Sequence, residues 1–171
     1  MIFVAAALVV ARPVIAEEAK KVDAVTQASW RELTLEEIIS PEELRKLQLD
    51  SVDFLLFDAR DKKTYDAAHI EGAVLPLKPE YYEEAERYRA KEITTPPDPD
   101  AALAEMLSGY PKDKKFVTYC NSGCKASAAL LMRIKKLGFA DVRAMEDGIQ
   151  GWEAKGYPIA KAVEVTPAPT S

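Results

Sequence analysis

Residues that bind metals are scarce in this chain, which has two cysteines and a single histidine among 171 residues. A structural zinc site uses four ligands, so we expect no metal ion, and the sequence gives no reason to expect another cofactor. Disulfide-rich secreted scaffolds are also excluded, because they use many cysteines. A Cys120–Cys124 disulfide would add little stability, because only three residues separate the two cysteines.

Basic clusters are lacking too: no long run of Lys or Arg occurs, and the formal net charge is −5. Nucleic-acid binding depends mainly on neutralising phosphates with cationic side chains, so we expect no nucleic-acid partner. The chain does have the balance of a soluble globular protein, with 48% hydrophobic and 30% charged residues. A chain of this length buries one ordinary core, which indicates one domain.

A membrane-spanning helix is not expected, because the apolar run from Ile2 to Ala11 is far shorter than the ~20 residues that such a helix needs. The first residues nevertheless differ from the rest, because they carry one charge, Arg12, and end in a segment similar to a signal-peptidase site. We therefore predict that residues 1–16 are a signal peptide cleaved before Glu17, and that the protein is periplasmic or secreted. The alternatives are a buried N-terminal element and a misassigned start that removed a basic segment.

Predicted strands and helices alternate along residues 35–160. The apolar runs VDFLLFD, KKFVTYC and DVRAM are typical of strands that are buried on both faces, as in a parallel sheet. Helical stretches separate these runs, so the sequence predicts a three-layer α/β/α domain with a mainly parallel central sheet. We expect residues 17–34 to form a linker or extension and residues 161–171 to be a flexible tail.

Local patterns place two of the helices. Ser40 precedes a proline and lies three residues ahead of Glu43, which predicts a capping box at the start of a short helix. In the stretch EYYEEAERYRAK, the residues Tyr81, Ala85 and Tyr88 fall on one stripe, which predicts a helix that buries this stripe. The stretch AVLPL predicts a brief strand between these helices.

Both cysteines lie in the loop YCNSGCKA, between a predicted strand and a predicted helix. A helix N-terminus offers N–H groups and a partial positive charge, which stabilise a thiolate or a bound anion. Gly123 permits the backbone angles of a tight turn, and Lys125 adds a positive charge at the rim. We therefore predict that Cys120 is a nucleophilic thiolate. The residues expected to bind a substrate or an anion are Asn121, Ser122, Gly123, Cys124 and Lys125.

A second polar cluster, Asp58 and Arg60, follows another of the predicted buried strands. Open parallel sheets place their ligand sites beyond the carboxyl ends of the strands. We therefore expect this cluster to lie at the same edge of the sheet as the loop that contains Cys120, although the two are far apart in sequence.

Four segments together resemble the single-domain rhodanese family of thiosulfate sulfurtransferase-like proteins. In family order the segments are FLLFDAR, AHIEGAVLPL, FVTYCNSGCKASAALLMRIKKLGF and VRAMEDGIQGWEAKGYPI. They are similar to the family's D-x-R strand end, its H-I-x-G-A segment, its C-x-x-G-x-R loop with the following helix, and its closing segment of glycines and tryptophan. The resemblance implies a rhodanese fold for residues 35–160.

The same resemblance implies a sulfurtransferase in which Cys120 carries sulfane sulfur as a persulfide. The donor would be thiosulfate or another persulfide, and the acceptor would be cyanide, a thiol or a protein. Asp58 and Arg60 would brace the loop without reacting, and His69 would have a structural role.

The chain departs from the family pattern at four places. Lys125 stands where Arg is common, and it lacks the planar fork that holds an oxyanion through two hydrogen bonds. Asp147 replaces the first of two paired glycines, and residues 78–114 form a longer, helical insertion than the compact members need. Cys124 is not a general feature of the family, and it is either a spectator or a resolving thiol that closes on the Cys120 persulfide.

Other functions stay open at this point. Phosphatases and arsenate reductases of the related fold use a longer C-x5-R loop to hold a tetrahedral oxyanion, so the C-x4-K loop here favours sulfur over phosphate. A non-catalytic rhodanese-like binding module would not need Cys120. A dithiol redox protein would use Cys120 and Cys124 and would show no thiosulfate:cyanide activity.

Overall fold

Five parallel strands form the central sheet of the protein, whose computed structural model describes residues 33–161. The predicted signal peptide, nearly all of the predicted linker and nearly all of the predicted tail lie outside the described residues. In chain order the strands are β1 (Ile38–Ile39), β2 (Phe54–Asp58), β3 (His69–Ile70), β4 (Ala73–Val74), β5 (Lys115–Tyr119), β6 (Val142–Met145) and β7 (Ile159–Ala160). The helices are α1 (Pro41–Leu49), α2 (Lys62–Ala67), α3 (Pro79–Arg89), α4 (Pro99–Leu107), α5 (Ala126–Lys136) and α6 (Gly148–Ala154).

Helices cover both faces of this sheet, whose strand order is β1-β6-β5-β2-β4. On one face Phe57 and Phe116 pack in a core cluster with residues of α4 and α5. On the other face Leu56 and Val117 pack with residues of α1 and α6. Neighbouring residues of β2 and β5 thus pack into core clusters on opposite faces of the sheet, as the uninterrupted apolar runs predicted. The predicted α/β/α class with a mainly parallel sheet is confirmed.

The register of β2 and β5 decides where the two polar clusters lie. The strands pair in parallel from Phe54 opposite Lys115 to Asp58 opposite Tyr119. Both strands therefore end at the same edge of the sheet, and Cys120 follows directly after Tyr119. The structure brings the Asp58 cluster and the cysteine loop to one edge, as the sequence predicted.

Helix α1 begins as its capping box predicted. The Glu43 N–H donates to the Ser40 hydroxyl at 3.2 Å, and the Ser40 N–H donates to the Glu43 carboxylate at 2.8 Å. Pro41 occupies the first helical position, where a missing N–H costs nothing. Leu44 is fully buried against α6 and the sheet, which fixes the helix on this face.

A small antiparallel sheet of β3 and β7 joins the end of the chain to its middle. His69 lies in β3, where its Nδ1 is 2.9 Å from the Tyr65 carbonyl oxygen and its ring stacks on the Tyr65 ring at 3.9 Å. The Trp152 Nε1–H donates to the Pro158 carbonyl oxygen at 2.9 Å, close to the start of β7. These contacts fit the structural role that we expected for His69.

The predicted insertion, residues 78–114, holds α3 and α4, and two details of its neighbourhood differ from the sequence expectation. Tyr88 is 41% exposed, and the inner face of α3 is instead formed by Tyr81, Tyr82 and Ala85, so the predicted stripe was wrong at its last member. The strand expected over AVLPL ends after Val74, because the proline in this stretch has no N–H to donate to a sheet. Among residues 33–161, no helix is both long and apolar enough to cross a membrane.

Candidate active site

Cys120 lies immediately after β5, with only 1% of its surface exposed. Its S–H donates to the Asn121 carbonyl oxygen, with 3.3 Å between sulfur and oxygen, and the Ser127 hydroxyl donates to its sulfur at 3.7 Å. The Ser127 N–H also donates to this sulfur. Ser127 is itself fully buried in the first turn of α5, so the helix start faces the sulfur as predicted.

The protonation state of Cys120 differs from the sequence expectation. Burial, followed by a hydrogen bond with the Cys124 thiol, raises the pKa of Cys120 to about 11. The two donors of Ser127 lower this pKa, but the loss of water around the sulfur outweighs them. Burial therefore opposes the stabilised thiolate that we expected, and the role of Cys120 as the nucleophile stays a prediction.

The loop curls back on itself between the two cysteines. The Cys124 N–H donates to the Asn121 carbonyl oxygen at 3.1 Å, and Gly123 adopts a positive φ of 69° that suits a glycine. The Ala126 N–H donates to the Cys124 sulfur at 3.3 Å. Two loop amides are thus already engaged within the loop, so these two N–H groups are not directed at Cys120 or at the anion that we expected the loop to bind.

Lys125 lies at the rim of this loop, where it immediately precedes α5 and is exposed. Its side chain makes no capping hydrogen bond to the helix. Lys125 is therefore exposed to solvent beside the loop, and its role in binding an anion stays a prediction.

The N-terminus of α6 supports the loop from behind, and sequence reasoning missed this contact. A Cβ atom on Gly148 would lie 2.5 Å from both the Cys120 carbonyl oxygen and the Ser122 nitrogen, so only glycine fits there. The Ile149 N–H donates to the Cys120 carbonyl oxygen at 2.8 Å. The Gln150 side chain accepts from the Ser122 N–H at 2.7 Å. The glycines of the closing segment were the only signal of this contact in the sequence.

Asp147, where we noted the loss of a glycine, adopts the left-handed backbone conformation with a φ of 61°. Asp is among the few residues other than glycine that enter this region with little strain. The departure from the family pattern therefore places a residue type that tolerates this conformation directly before α6.

A buried hydrogen-bond network around Asp58 joins the strands β2, β3 and β5. The Arg60 guanidinium donates to both carboxylate oxygens of Asp58, at 2.6 to 3.1 Å, and to the Ala68 carbonyl oxygen at 2.6 Å. The Tyr119 hydroxyl donates to Asp58 at 2.6 Å and accepts from the Ile70 N–H at 3.1 Å. Burial and the Asp58 charge raise the pKa of Tyr119, so its phenol stays protonated and donates.

This network fits the bracing role predicted for Asp58 and Arg60. The Asp58 side chain is completely buried and that of Arg60 is 6% exposed. Asp58 and Arg60 form an ion pair with each other. The network reaches the cysteine loop through Tyr119, the residue before Cys120. Asp58 is therefore shielded from any substrate, whereas Arg60 also lines a cavity between the insertion and α5.

A cavity of about 270 Å³ lies between the insertion and the start of α5. Its walls include Ala59 from the end of β2, Tyr81 and Tyr82 from α3, Leu103 from α4 and Ala126 from α5. Because Ala126 also contacts the Cys124 sulfur, the cavity adjoins the cysteine loop. Within residues 33–161, no group of three or more His, Cys, Asp or Glu side chains is arranged to hold a metal ion.

Comparisons with known proteins agree with this architecture. A family model described as "Rhodanese-like domain" matches residues 40–155. The chain is 30% identical over 120 residues to the probable adenylyltransferase/sulfurtransferase MoeZ of Mycobacterium tuberculosis, covering 70% of this chain and 25% of that protein. It is also 30% identical over 162 residues to the tRNA uridine(34) hydroxylase of Staphylococcus saprophyticus, covering 87% of this chain and 45% of that protein. The chain therefore spans less than half the length of either relative.

Solved structures show the same fold. The BH2092 protein from Bacillus halodurans is similar with a TM-score of 0.57 and 17% identity, covering 86% of this chain and 87% of that chain. Thiosulfate sulfurtransferase from Pseudomonas aeruginosa is similar with a TM-score of 0.52 and 20% identity, covering 75% of this chain and 20% of that chain. These identities support the fold alone, whereas the family model matches well over half of the residues. The sequence motifs, the fold and the match to the family model together show that the chain belongs to the rhodanese-like domain family.

Proposed function

We propose that the protein is a sulfurtransferase that carries sulfane sulfur as a persulfide on Cys120. The observation that supports this most directly is the position of the Cys120 sulfur, which is buried at the end of β5 and receives two hydrogen bonds from Ser127. The donor in this proposal is thiosulfate or another persulfide, and the acceptor is cyanide, a thiol or a protein.

The proposed reaction has two transfers. Cys120 loses its proton, and the thiolate attacks the outer sulfur of thiosulfate, so that a sulfur–sulfur bond forms on Cys120 and sulfite leaves. The acceptor then attacks the outer sulfur of the persulfide and restores the Cys120 thiolate. Ser127 stabilises the negative sulfur in both steps, and the positive charge of Lys125, an exposed residue directly before α5, attracts a dianionic donor.

One relative supports a sulfur-transfer reaction by its name, which gives no sulfur donor or acceptor. This relative is named a sulfurtransferase and another a tRNA hydroxylase, and both are much longer proteins. The substrates of neither can be carried over to this chain. The short C-x4-K loop, with Lys125 in place of an arginine fork, continues to favour a sulfur compound over a phosphate ester.

The presence of two free thiols in one loop supports a second candidate, a dithiol redox protein. Such a protein would form a disulfide between Cys120 and Cys124 and would accept no sulfur. The two functions differ in what thiosulfate does to the protein.

The test is to incubate the reduced protein with thiosulfate and to measure its intact mass. The Cys124→Ser variant should gain the mass of one sulfur atom, and added cyanide should remove this sulfur as thiocyanate. The Cys120→Ser variant should gain none. Absence of sulfur uptake in Cys124→Ser, together with reversible disulfide formation in the wild type, would instead establish the dithiol redox function.

A further inference from the structure

Cys124 is the most distinctive side chain of the loop, because it places a second thiol against the proposed sulfur carrier. Both cysteines are reduced thiols. The turn from Asn121 to Cys124 brings the second thiol back towards the first, and the first turn of α5 holds both sulfurs, because the Ser127 hydroxyl donates to the Cys120 sulfur at 3.7 Å. The Cys124 side chain also contributes to the raised pKa of Cys120. The Ala126 N–H holds the Cys124 sulfur in this position at 3.3 Å.

The two thiols differ in exposure. Cys120 is buried, whereas Cys124 is partly exposed. A persulfide on Cys120 would have its inner sulfur, the Cys120 Sγ, at the same start of α5 that holds the Cys124 sulfur. The second cysteine of the loop is thus an internal nucleophile held beside the same helix start as the sulfur that it would attack.

We infer that Cys124 resolves the Cys120 persulfide and that the protein thereby reduces sulfane sulfur to sulfide. The inference rests on the proposed sulfurtransferase function. The Cys124 sulfur attacks the Cys120 Sγ, a Cys120–Cys124 bond forms, and the bond between Cys120 Sγ and the outer sulfur breaks. The outer sulfur leaves with the electron pair as hydrosulfide, and the proton of the Cys124 thiol joins the sulfide in water.

Atoms and electrons balance in this step. The sulfane sulfur gains two electrons, and the two cysteines lose two electrons as they become a disulfide. One turnover from thiosulfate therefore yields one sulfite, one sulfide and one protein disulfide, and it needs no further oxidant. A second turnover requires an external dithiol, which reduces the disulfide by thiol–disulfide exchange.

Leaving-group strength favours this direction of attack. In attack on a sulfur–sulfur bond, the group with the lower pKa leaves faster. Attack on the outer sulfur would expel the Cys120 thiolate, and burial raises the pKa of that thiol to about 11. Attack on the inner sulfur expels hydrosulfide, a weaker base than this thiolate. The burial that slows sulfur uptake thus directs the persulfide towards resolution by Cys124.

The experiment is a single turnover on the full-length chain. The protein is reduced, freed of reductant without air, and mixed with one equivalent of thiosulfate. Sulfite and sulfide are quantified, the remaining thiols are alkylated, and the intact mass is measured. The wild type should form equal amounts of sulfite and sulfide, and its mass should show two hydrogens lost and no alkylation.

The variants Cys124→Ser and Cys124→Ala isolate the resolving step. Each should still form sulfite in a single turnover and keep the added sulfur, while sulfide falls to the background seen with Cys120→Ser. Wild-type protein without thiosulfate should stay fully alkylatable, which separates this reaction from oxidation by air.

The outcomes separate the two proposals. If the wild type forms sulfite but retains its sulfur without a disulfide, the resolving role of Cys124 is overturned and the sulfurtransferase function stands. Equal sulfide release by the wild type and both Cys124 variants would overturn the role in the same way. If none of these proteins forms sulfite or gains sulfur, the sulfurtransferase function itself fails.

Discussion

Ser127 is the side chain that most directly opposes the effect of burial on the Cys120 sulfur. Its hydroxyl and N–H both donate to this sulfur, and both lower the pKa of Cys120. In Ser127→Ala the hydroxyl is lost, so the pKa of Cys120 should rise by about one unit, and sulfite release at neutral pH should slow about tenfold. The measurement is the initial rate of sulfite release from thiosulfate as a function of pH.

The matched control for Ser127→Ala is Ser108→Ala. The Ser108 hydroxyl donates to the Glu105 carbonyl oxygen at the exposed end of α4. Its loss should leave the pH dependence of the reaction unchanged. A Ser127→Ala variant with the wild-type pH profile would show that the hydroxyl does not act on the Cys120 thiolate.

Gly148 is a second position where one atom decides the geometry of the site. In Gly148→Ala the added methyl would lie 2.5 Å from the Cys120 carbonyl oxygen, and the φ of 57° would strain any side chain. Because the clash is with backbone, we expect the free energy of unfolding to fall by about 3 kcal/mol, together with a loss of sulfurtransferase activity.

Gly156→Ala is the control for this substitution. Gly156 also has a positive φ, of 69°, but nothing lies within 4 Å of the position that its Cβ would take. Backbone strain alone should lower the free energy of unfolding of Gly156→Ala by about 1 kcal/mol, and the activity should be retained. Urea unfolding and activity assays on both variants make the comparison, and equal losses would refute the clash at Gly148.

At the scale of elements, the sequence predicted what depends on neighbours along the chain. Apolar runs located β2 and β5, the capping box located α1, and the strand ends placed Asp58 near Cys120. What it missed depends on elements distant in sequence. Gln150 reaches the loop across 28 positions, and no local pattern indicates that contact.

The pKa of Cys120 is a further property that local patterns could not predict. A helix start was expected to favour the thiolate, and the donors from Ser127 are indeed present. The burial that outweighs them arises from the joint packing of β5, α5 and α6 around the sulfur. The depth of a side chain depends on the assembled domain, whereas the residues of the loop itself indicate only its hydrogen-bond donors.

The network around Asp58 ties β2, β3 and β5 together, and it predicts an unequal response of two aspartates. Asp58→Asn leaves the buried Arg60 guanidinium without its counter-charge, so the free energy of unfolding should fall by about 3 kcal/mol. Asp53→Asn removes an ion pair with Lys114 just before the start of β2, where Asp53 is 89% exposed. This loss should cost less than about 1 kcal/mol.

Chemical denaturation of both aspartate variants at neutral pH measures the difference. The sulfurtransferase activity of Asp58→Asn should fall as well, because Tyr119 loses its carboxylate acceptor next to Cys120. Similar stabilities for the two variants would show that the Asp58 network does not hold the strand ends together.

At the scale of the whole molecule, burial couples the chemistry of the site to the stability of the fold. The pKa of Cys120 is about 11 in the folded protein, compared with an ordinary value of 9.0. The folded state therefore holds this proton more tightly than the unfolded state does. The resulting stability is fully present below pH 9 and is lost as the pH rises through 11.

Alkaline unfolding tests this coupling. The wild type should lose about 2–3 kcal/mol between pH 9 and 11 through Cys120, because each pKa unit corresponds to about 1.4 kcal/mol. Burial also raises the pKa values of Tyr82 and Tyr119, so stability should continue to fall at higher pH in every variant that keeps them. In Cys120→Ser the tyrosine contribution stays and the cysteine contribution is absent. Urea unfolding across this pH range should therefore give a shallower decline for Cys120→Ser, and parallel curves for the two proteins would show that Cys120 is not buried as a neutral thiol.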